Sequence, residues 1–373
     1  MATEEDVRFM REALSLARST EGRTSPDPMV GAVLVKDGKI LATGYHAEVT
    51  TPHAEAWAIE KAGEAARGAT LYVNLEPCCF FETKNNPPCT QTIIKSGIRK
   101  VVAAMEDPNP SVAGKGIAEL REAGVAVEEG VLEEEAKKLN EVFIKYITTG
   151  RPFVILKTAM SLDGKIATSA GESFWITGIE ARKRGHHLRN IVDAVLVGIN
   201  TILKDNPELT VREIEGQIKN PKKIILDPQA RLPLNSKVLK IEPQNTIVVV
   251  GDGAPKGRIE KLKAKHAQVL AVKGRNGTFM MDRLLKELGR QKITSILIEG
   301  GGSTNARALS AGIVDKLNFF ISPKIIGGCD SPTPVEGEGI DSLSKAIKLR
   351  ELNCERIGED LLLSGYSIHC KML

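Results

Sequence analysis

The spacing of hydrophobic and polar positions changes several times along the chain, and each change marks an element. "EDVRFMREALSLARST" places apolar residues at helical intervals, which predicts an amphipathic opening helix. "MVGAVLV" is then an apolar, β-branched run, "KDG" offers a turn, and "KILATGYH" predicts a second strand. A helix starts near His53, "ATLYVNLEPC" predicts a strand running into a loop, and "CTQTIIKSGI" predicts a short helix. "KVVAAMED", "GIAELREAG" and "VAVEEG" read as strand, helix and strand, and "EEEAKKLNEVFIKYI" as one longer closing helix. A hairpin followed by this alternation points to a three-layer α/β sheet.

"TTGRPFV" at 148–154 interrupts the pattern and divides the chain into 1–149 and 150–373. Beyond it the alternation resumes. Strands are predicted at "FVILKTAM", "DAVLVG", "KKIILD", "NTIVVV", "AQVLAV" and "SILIEGG", with helices between several of them. "DKLNFFISPKII" and "EDLLLSGYSIHCKM" read as closing strands. The halves look like two α/β domains of different strand order, with no internal repeat.

A chain of 373 residues suits two or three domains, and 42% hydrophobic content suffices for sizeable cores. Lys and Arg number 51 against 47 Asp and Glu, so charge gives no case for a nucleic-acid partner. The start, "MATEEDVRFM", is acidic and lacks a signal peptide's apolar core. No apolar run is long enough for a bilayer. The expectation is a cytoplasmic protein without a membrane partner. Three of the six cysteines, Cys78, Cys79 and Cys89, share one short window, which in a reducing compartment favours metal binding or catalysis over disulfides.

"PHAEAWAIE" begins a helix with His53 and sets Glu55 two residues later. Glu55 in a first helical turn has an ordinary explanation, since carboxylates suit that end of the dipole. The cysteines add a chemical one. Cys78 follows Pro77 where a helix could start, and Cys89 opens the next helical stretch, positions that bias a thiol toward thiolate. One imidazole and two thiolates leave a fourth zinc position open for water, the arrangement of a catalytic site. Glu55 is not needed as a ligand and could carry the water's proton to a leaving amine. H-x-E, then P-C, then a second cysteine is the signature of zinc nucleobase deaminases.

"SPDPMVGAVLV", "HAEAWAI", "LEPC" and "PPCT" together resemble the deaminase half of the bifunctional deaminase/reductase family of riboflavin biosynthesis. That family's pyrimidine-contacting segment usually reads P-N-P-x-V-G, and here Asp27 stands where the asparagine is expected. An ionised carboxylate only accepts hydrogen bonds, whereas an amide also donates. The loop "PCCFFETKNNPPC" also departs: it is slightly longer and lacks the family's Ser-His pair and glycine. Cys79 therefore stays an alternative ligand to Cys78, which follows the proline as in the family. Lys84 takes the place of the family's basic loop residue near the substrate phosphate, with a solvated loop lysine as the alternative.

The second half carries "KTAMSLDGKIAT", "GESFWITG", "HHLRNIVDAVLVGINTILKDNPELTVR" and "ILIEGGGSTN". The last is a strand, three glycines and a helix start, which suits the phosphates of a nucleotide without being a G-x-G-x-x-G motif. In this order the segments resemble the reductase half of the same family. The resemblance implies a cytidine-deaminase-like three-layer α/β/α domain followed by a dihydrofolate-reductase-like α/β domain using NADPH. It places Trp175, Thr201, Asp205, Gly300, Gly301 and Gly302 at the NADPH site. It places Ser173, Arg189, Leu209, Arg212 and Glu299 at the substrate, with Lys157 and Asp163 in matching segments nearby. His186 and His187 read as packing or surface residues.

The expected activity is zinc-dependent deamination of a diaminopyrimidinone ribosylamino 5′-phosphate, then NADPH-dependent reduction of ribosyl to ribityl. A homo-oligomer through the reductase domain is expected from the same resemblance. The competing readings are a reductase with an impaired deaminase domain, a deaminase of another nucleobase, and a non-enzymatic zinc module for nucleic acid.

Overall fold

The computed structural model describes residues 2–80, 87–275 and 278–368. The chain forms two compact units that meet in sequence between Gly150 and Arg151.

The first unit runs α1 (Glu4–Arg18), β1 (Gly31–Lys36), β2 (Lys39–Tyr45), α2 (Ala54–Ala62), β3 (Thr70–Val73), α3 (Cys89–Ser96), β4 (Lys100–Ala103), α4 (Lys115–Glu122), β5 (Ala126–Glu129), α5 (Glu133–Leu139) and α6 (Glu141–Thr149). Its sheet has the order β2-β1-β3-β4-β5. β1 pairs antiparallel with β2 and β3, and the β3-β4-β5 side is parallel. A parallel pair needs a crossover, and α3 and α4 supply the two crossovers here. Apolar residues of α1, α2 and α3 join Val33, Leu71 and Val101 of the strands in one core. Helix and sheet touch closely at two glycines. A Cβ on Gly31 would lie 2.1 Å from the Ala13 carbonyl oxygen, and one on Gly44 2.1 Å from that of Ala54.

One prediction needs correction. The single closing helix is two, because the chain breaks at Asn140 (φ −102°, ψ 22°). The Asn140 side chain accepts from the Met29 N–H (2.8 Å) and donates to the Met29 carbonyl (3.0 Å). A side-chain amide bonded to a distant backbone in both directions outweighs a continuous apolar helical period.

The second unit runs β6 (Phe153–Ser161), α7 (Ile179–Ile191), β7 (Ala194–Gly198), α8 (Ile199–Asp205), β8 (Lys222–Leu226), α9 (Lys237–Lys240), β9 (Thr246–Val250), α10 (Lys256–Lys263), β10 (Gln268–Ala271), β11 (Gly274–Arg275), β12 (Thr278–Phe279), α11 (Met281–Arg290), β13 (Ser295–Ile298), α12 (Gly302–Ser310), β14 (Lys316–Ser322), β15 (Leu349–Ile357) and β16 (Asp360–Ser367). The large sheet has the order β10-β9-β8-β7-β13-β6-β14-β16-β15. It is parallel from β10 to β14 and antiparallel at β16 and β15. Parallel strands are covered on both faces, which is why β9 and β13 are buried along their whole length. The strand order reverses between β7 and β13, and such a switch point opens a crevice at the carboxyl ends of the strands.

Candidate functional site

The first cluster is assembled from three segments. His53 is the N-cap of α2, and the first residue of that helix, Ala54, packs directly against Gly44. Cys78 lies in the loop after β3, and Cys89 is the first residue of α3. The Thr90 N–H donates to the Cys78 carbonyl (3.3 Å), tying the two cysteine segments together. The His53 Nδ1 lies 3.3 Å from the Sγ of Cys78 and 3.3 Å from that of Cys89. All three donor atoms fall within 4.8 Å of one another. Tetrahedral zinc, with its usual bonds to nitrogen and sulfur, sets such donors about 3.5 Å apart, so this donor set fits the ion. Cys79 is buried apart from the cluster, and burial pushes its thiol up, away from the thiolate a metal needs.

Glu55 sits in the first turn of α2 and is only 3% exposed. Burial pushes its carboxyl up, and negative charge at Cys78 acts in the same direction. A carboxyl raised toward neutrality both takes and returns a proton readily.

Two residues near this cluster make contacts that the sequence does not announce. His46 is buried with its Nε2 3.3 Å from an Asp27 carboxylate oxygen and its Nδ1 3.4 Å from the Pro52 carbonyl, and its ring packs edge-on against His53 at 5.4 Å. Asp27 is thus joined to the cluster through a histidine that only the fold brings near. Glu76 reads in sequence as part of "LEPC" alone. Its buried carboxylate accepts from the N–H groups of Asp107 (3.0 Å), Gly114 (2.9 Å), Gly116 (2.8 Å) and Ile117 (3.1 Å), which fastens the Cys78 loop to the start of α4. Lys84 lies outside the described residues.

In the second unit a cavity of about 800 Å³ opens at the carboxyl ends of β7, β8, β9 and β13. Ser173, Thr201, Asp205, Gly301 and Gly302 line it, while Trp175 and Gly300 stand outside its wall. Burial pushes the Asp205 carboxyl up. The three glycines differ in what they permit. A Cβ on Gly300 would lie 2.5 Å from the Thr304 Cβ, and one on Gly302 2.4 Å from the Thr333 carbonyl oxygen. One on Gly301 meets nothing within 4 Å. Gly300 and Gly302 are therefore required by packing, and Gly301 is where the backbone faces open space at the start of α12. Trp175 is exposed, with the Arg182 guanidinium 4.4 Å from its ring centroid. Lys324 donates to the Trp175 (2.9 Å) and Ile176 (2.7 Å) carbonyls.

A second group gathers around Glu299, just past β13. Arg189 of α7 donates to both Glu299 oxygens (2.9 and 2.6 Å) and to the Thr210 carbonyl (3.0 Å). Burial alone would raise the Glu299 carboxyl, but the Arg189 and Lys157 charges outweigh it and hold the group ionised. Burial lowers the Lys157 ammonium, and Glu299 opposes that shift. Leu209 is buried with φ 57°, and Arg212 pairs with Glu208 at 2.7 Å. Asp163 accepts from Ser161 Oγ and from the Ile326 and Gly327 N–H groups, which together hold it down to about 2.

The family models match both units. "RibD C-terminal domain" covers residues 152–363, and "Cytidine and deoxycytidylate deaminase zinc-binding region" covers residues 3–105. The chain is 48% identical to the riboflavin biosynthesis protein RibD of Aquifex aeolicus, over 97% of this chain and 99% of that one. It is 44% identical to the RibD of Actinobacillus pleuropneumoniae, over 96% and 94%. Acinetobacter baumannii RibD superimposes with a TM-score of 0.88 at 35% identity, covering 98% of this chain and 99% of that one. The Thermotoga maritima diaminohydroxyphosphoribosylaminopyrimidine deaminase/5-amino-6-(5-phosphoribosylamino)uracil reductase gives 0.84 at 40% identity, covering 97% and 99%. Both parts of such a bifunctional enzyme, a zinc-binding deaminase domain and a reductase domain that takes a nucleotide cofactor, are present here. The chain belongs to the RibD family of riboflavin biosynthesis, the deaminase/reductases.

Proposed function

We propose that residues 1–149 deaminate the diaminopyrimidinone ribosylamino 5′-phosphate and that residues 150–373 reduce the product's ribosyl group to ribityl with NADPH. The observation that carries the first half is the convergence of His53, Cys78 and Cys89 beside buried Glu55. His53, Cys78 and Cys89 would hold zinc, whose Lewis acidity makes water nucleophilic near neutral pH. Glu55 would take a proton from the attacking water and give it to the departing nitrogen, so that as the water oxygen bonds to the amine-bearing carbon the C–N bond breaks and ammonia leaves. Asp27, coupled to the cluster through His46, belongs to the substrate side of this unit, and the family resemblance assigns Lys84 to the substrate phosphate.

In the reductase unit, Thr201, Asp205, Gly301 and Gly302 line a cavity suited to a dinucleotide, and Gly300 and Trp175, outside that wall, belong to the cofactor site by the family resemblance. The start of α12 would face the diphosphate. Bound there, NADPH would supply the hydride, and the cavity's residues would orient it and exclude water. Lys157, Ser173, Arg189, Leu209, Arg212 and Glu299 form the substrate side. A phosphorylated sugar suits this concentration of Arg and Lys. Among the described residues no helix is long and apolar enough to cross a membrane. Association of copies through the reductase unit belongs to the same reading, and the solution mass checks it.

The test is turnover with both substrates. Ammonia release from the diaminopyrimidine phosphate and oxidation of NADPH on the deaminated product, with NADH clearly poorer, is the expected result. Reduction without any deamination of zinc-loaded protein would favour the reductase-only reading, and deamination of free nucleosides would favour another base.

A further inference from the structure

α7 carries His186 one turn before Arg189, so both side chains reach one face of the helix. Both hold the same stretch of backbone. Arg189 donates to the Thr210 carbonyl at 3.0 Å, and His186 Nδ1 accepts the Arg212 N–H at 3.1 Å. Asn220 adds a third tie by accepting the Val211 N–H at 2.9 Å. This stretch needs holding. Leu209 (φ 57°) and Glu213 (φ 59°) flank it in the left-handed region, which L-residues disfavour. Such conformations persist only where the surroundings over-determine them.

The hydrogen bond also fixes the histidine's chemical form. An Nδ1 that accepts carries no proton, so the neutral ring bears its hydrogen on Nε2. Burial, with the Arg189 and Arg212 charges, holds the imidazolium down to about 4, while Glu213 and Glu299 oppose this weakly. His186 is therefore a neutral acceptor at pH 7, set among charged groups where a protonated ring would lose the bond. The Arg212 side chain it steadies turns back onto its own loop, donating to Glu208 (2.7 Å) and to Thr210 Oγ1 (2.9 Å). Its resting place is thus held at both ends, by His186 at the backbone and by Glu208 and Thr210 at the guanidinium.

We propose that His186 is a positioning residue of the reductase: its Nδ1 fixes the backbone at Arg212 and thereby holds in place the loop whose Arg212 side chain meets the phosphorylated substrate. This rests on Arg212 being a substrate residue, as proposed above. His186 touches neither substrate nor cofactor in this role.

The experiment uses the full chain and 5-amino-6-(5-phosphoribosylamino)uracil, comparing wild type, His186→Phe, His186→Asn, His186→Gln and Arg212→Ala. Phe keeps bulk and removes the acceptor, Asn keeps an oxygen near the Nδ1 position, and Gln moves it toward Nε2. The expected result is a KM for the pyrimidine raised tenfold or more in His186→Phe, with KM for NADPH and ammonia release unchanged. His186→Asn restores KM to within about threefold and His186→Gln does not. Adding His186→Phe to Arg212→Ala raises KM no further than Arg212→Ala alone. If His186→Phe no longer binds NADPH, the Asn and Gln variants carry the comparison. An unchanged KM in His186→Phe alongside a raised one in Arg212→Ala overturns the proposal and leaves the substrate reading intact. An unchanged KM in Arg212→Ala overturns the reading of Arg212 itself. Failure of Asn to rescue, or additive effects in the double variant, also overturns it, because the imidazole then acts by bulk or on another group.

Discussion

Cys78 and Cys79 are neighbours in the chain with opposite surroundings, one within 3.3 Å of the His53 Nδ1 and the other buried away from it. Cys78→Ser is expected to lose zinc and Cys79→Ser to keep it, as read by metal content of the purified proteins; the reverse would assign the wrong cysteine. Glu55→Gln removes the proposed proton carrier while leaving every proposed metal donor in place. It should retain zinc yet lose at least about 10²-fold in deamination, the lower bound for a general acid–base group; full activity in zinc-loaded Glu55→Gln would exclude that role. His186 yields a stability prediction. Its folded-state value, about 4, lies below the ordinary 6.5, so the unfolded chain binds more protons between these values. The stability it confers is full above about pH 6.5 and falls away as pH drops toward 4. His186→Phe should flatten that part of the denaturant midpoint's pH dependence between pH 7 and 4.5, and an unaltered dependence would contradict it. The convergence of His53, Cys78 and Cys89 beside a buried Glu55 was legible because zinc chemistry calls for those residue types at short spacings. The contacts of His46, Glu76 and His186 were not, because their partners are distant in the chain: Asp27, the start of α4, and the backbone at Arg212.

Elements follow the same division. Strands such as β9 and β13 were legible because a parallel sheet buries both faces and leaves a continuous apolar run. β15 gives no such signal. It is the sheet's edge, exposed at most positions, and "LRELNCERI" has no apolar period to announce it. The break at Asn140 was hidden because its cause lies at Met29. The glycine triplet was legible as a motif, but the separate duties of its members appear only in three dimensions. A methyl at Gly302 collides with the Thr333 backbone, whereas one at Gly301 meets open space. Gly302→Ala should destabilise the reductase unit by about 1–3 kcal/mol, the usual cost of overpacking. Gly301→Ala should leave the unfolding midpoint near wild type and act on nucleotide affinity. Equal midpoints for the two variants would contradict this assignment.

The two units divide the chemistry. Every proposed metal donor precedes Gly150, and the cavity and the Arg189–Glu299 pair follow Arg151. Removal of zinc should therefore touch one reaction only. Arg189→Ala should do the converse. It strips a buried, ionised Glu299 of its bidentate partner and releases the loop at Thr210, so reduction should fall at least tenfold, in line with loss of a charge-assisted hydrogen bond worth about 1.5–3 kcal/mol. The most direct measurement is paired: ammonia release from the diaminopyrimidine phosphate and NADPH oxidation on the deaminated product, each before and after chelation of the folded protein. Two separate sites predict that chelation stops ammonia release, that zinc restores it, and that NADPH oxidation is unchanged throughout. Loss of both reactions in chelated protein that remains folded would contradict the account.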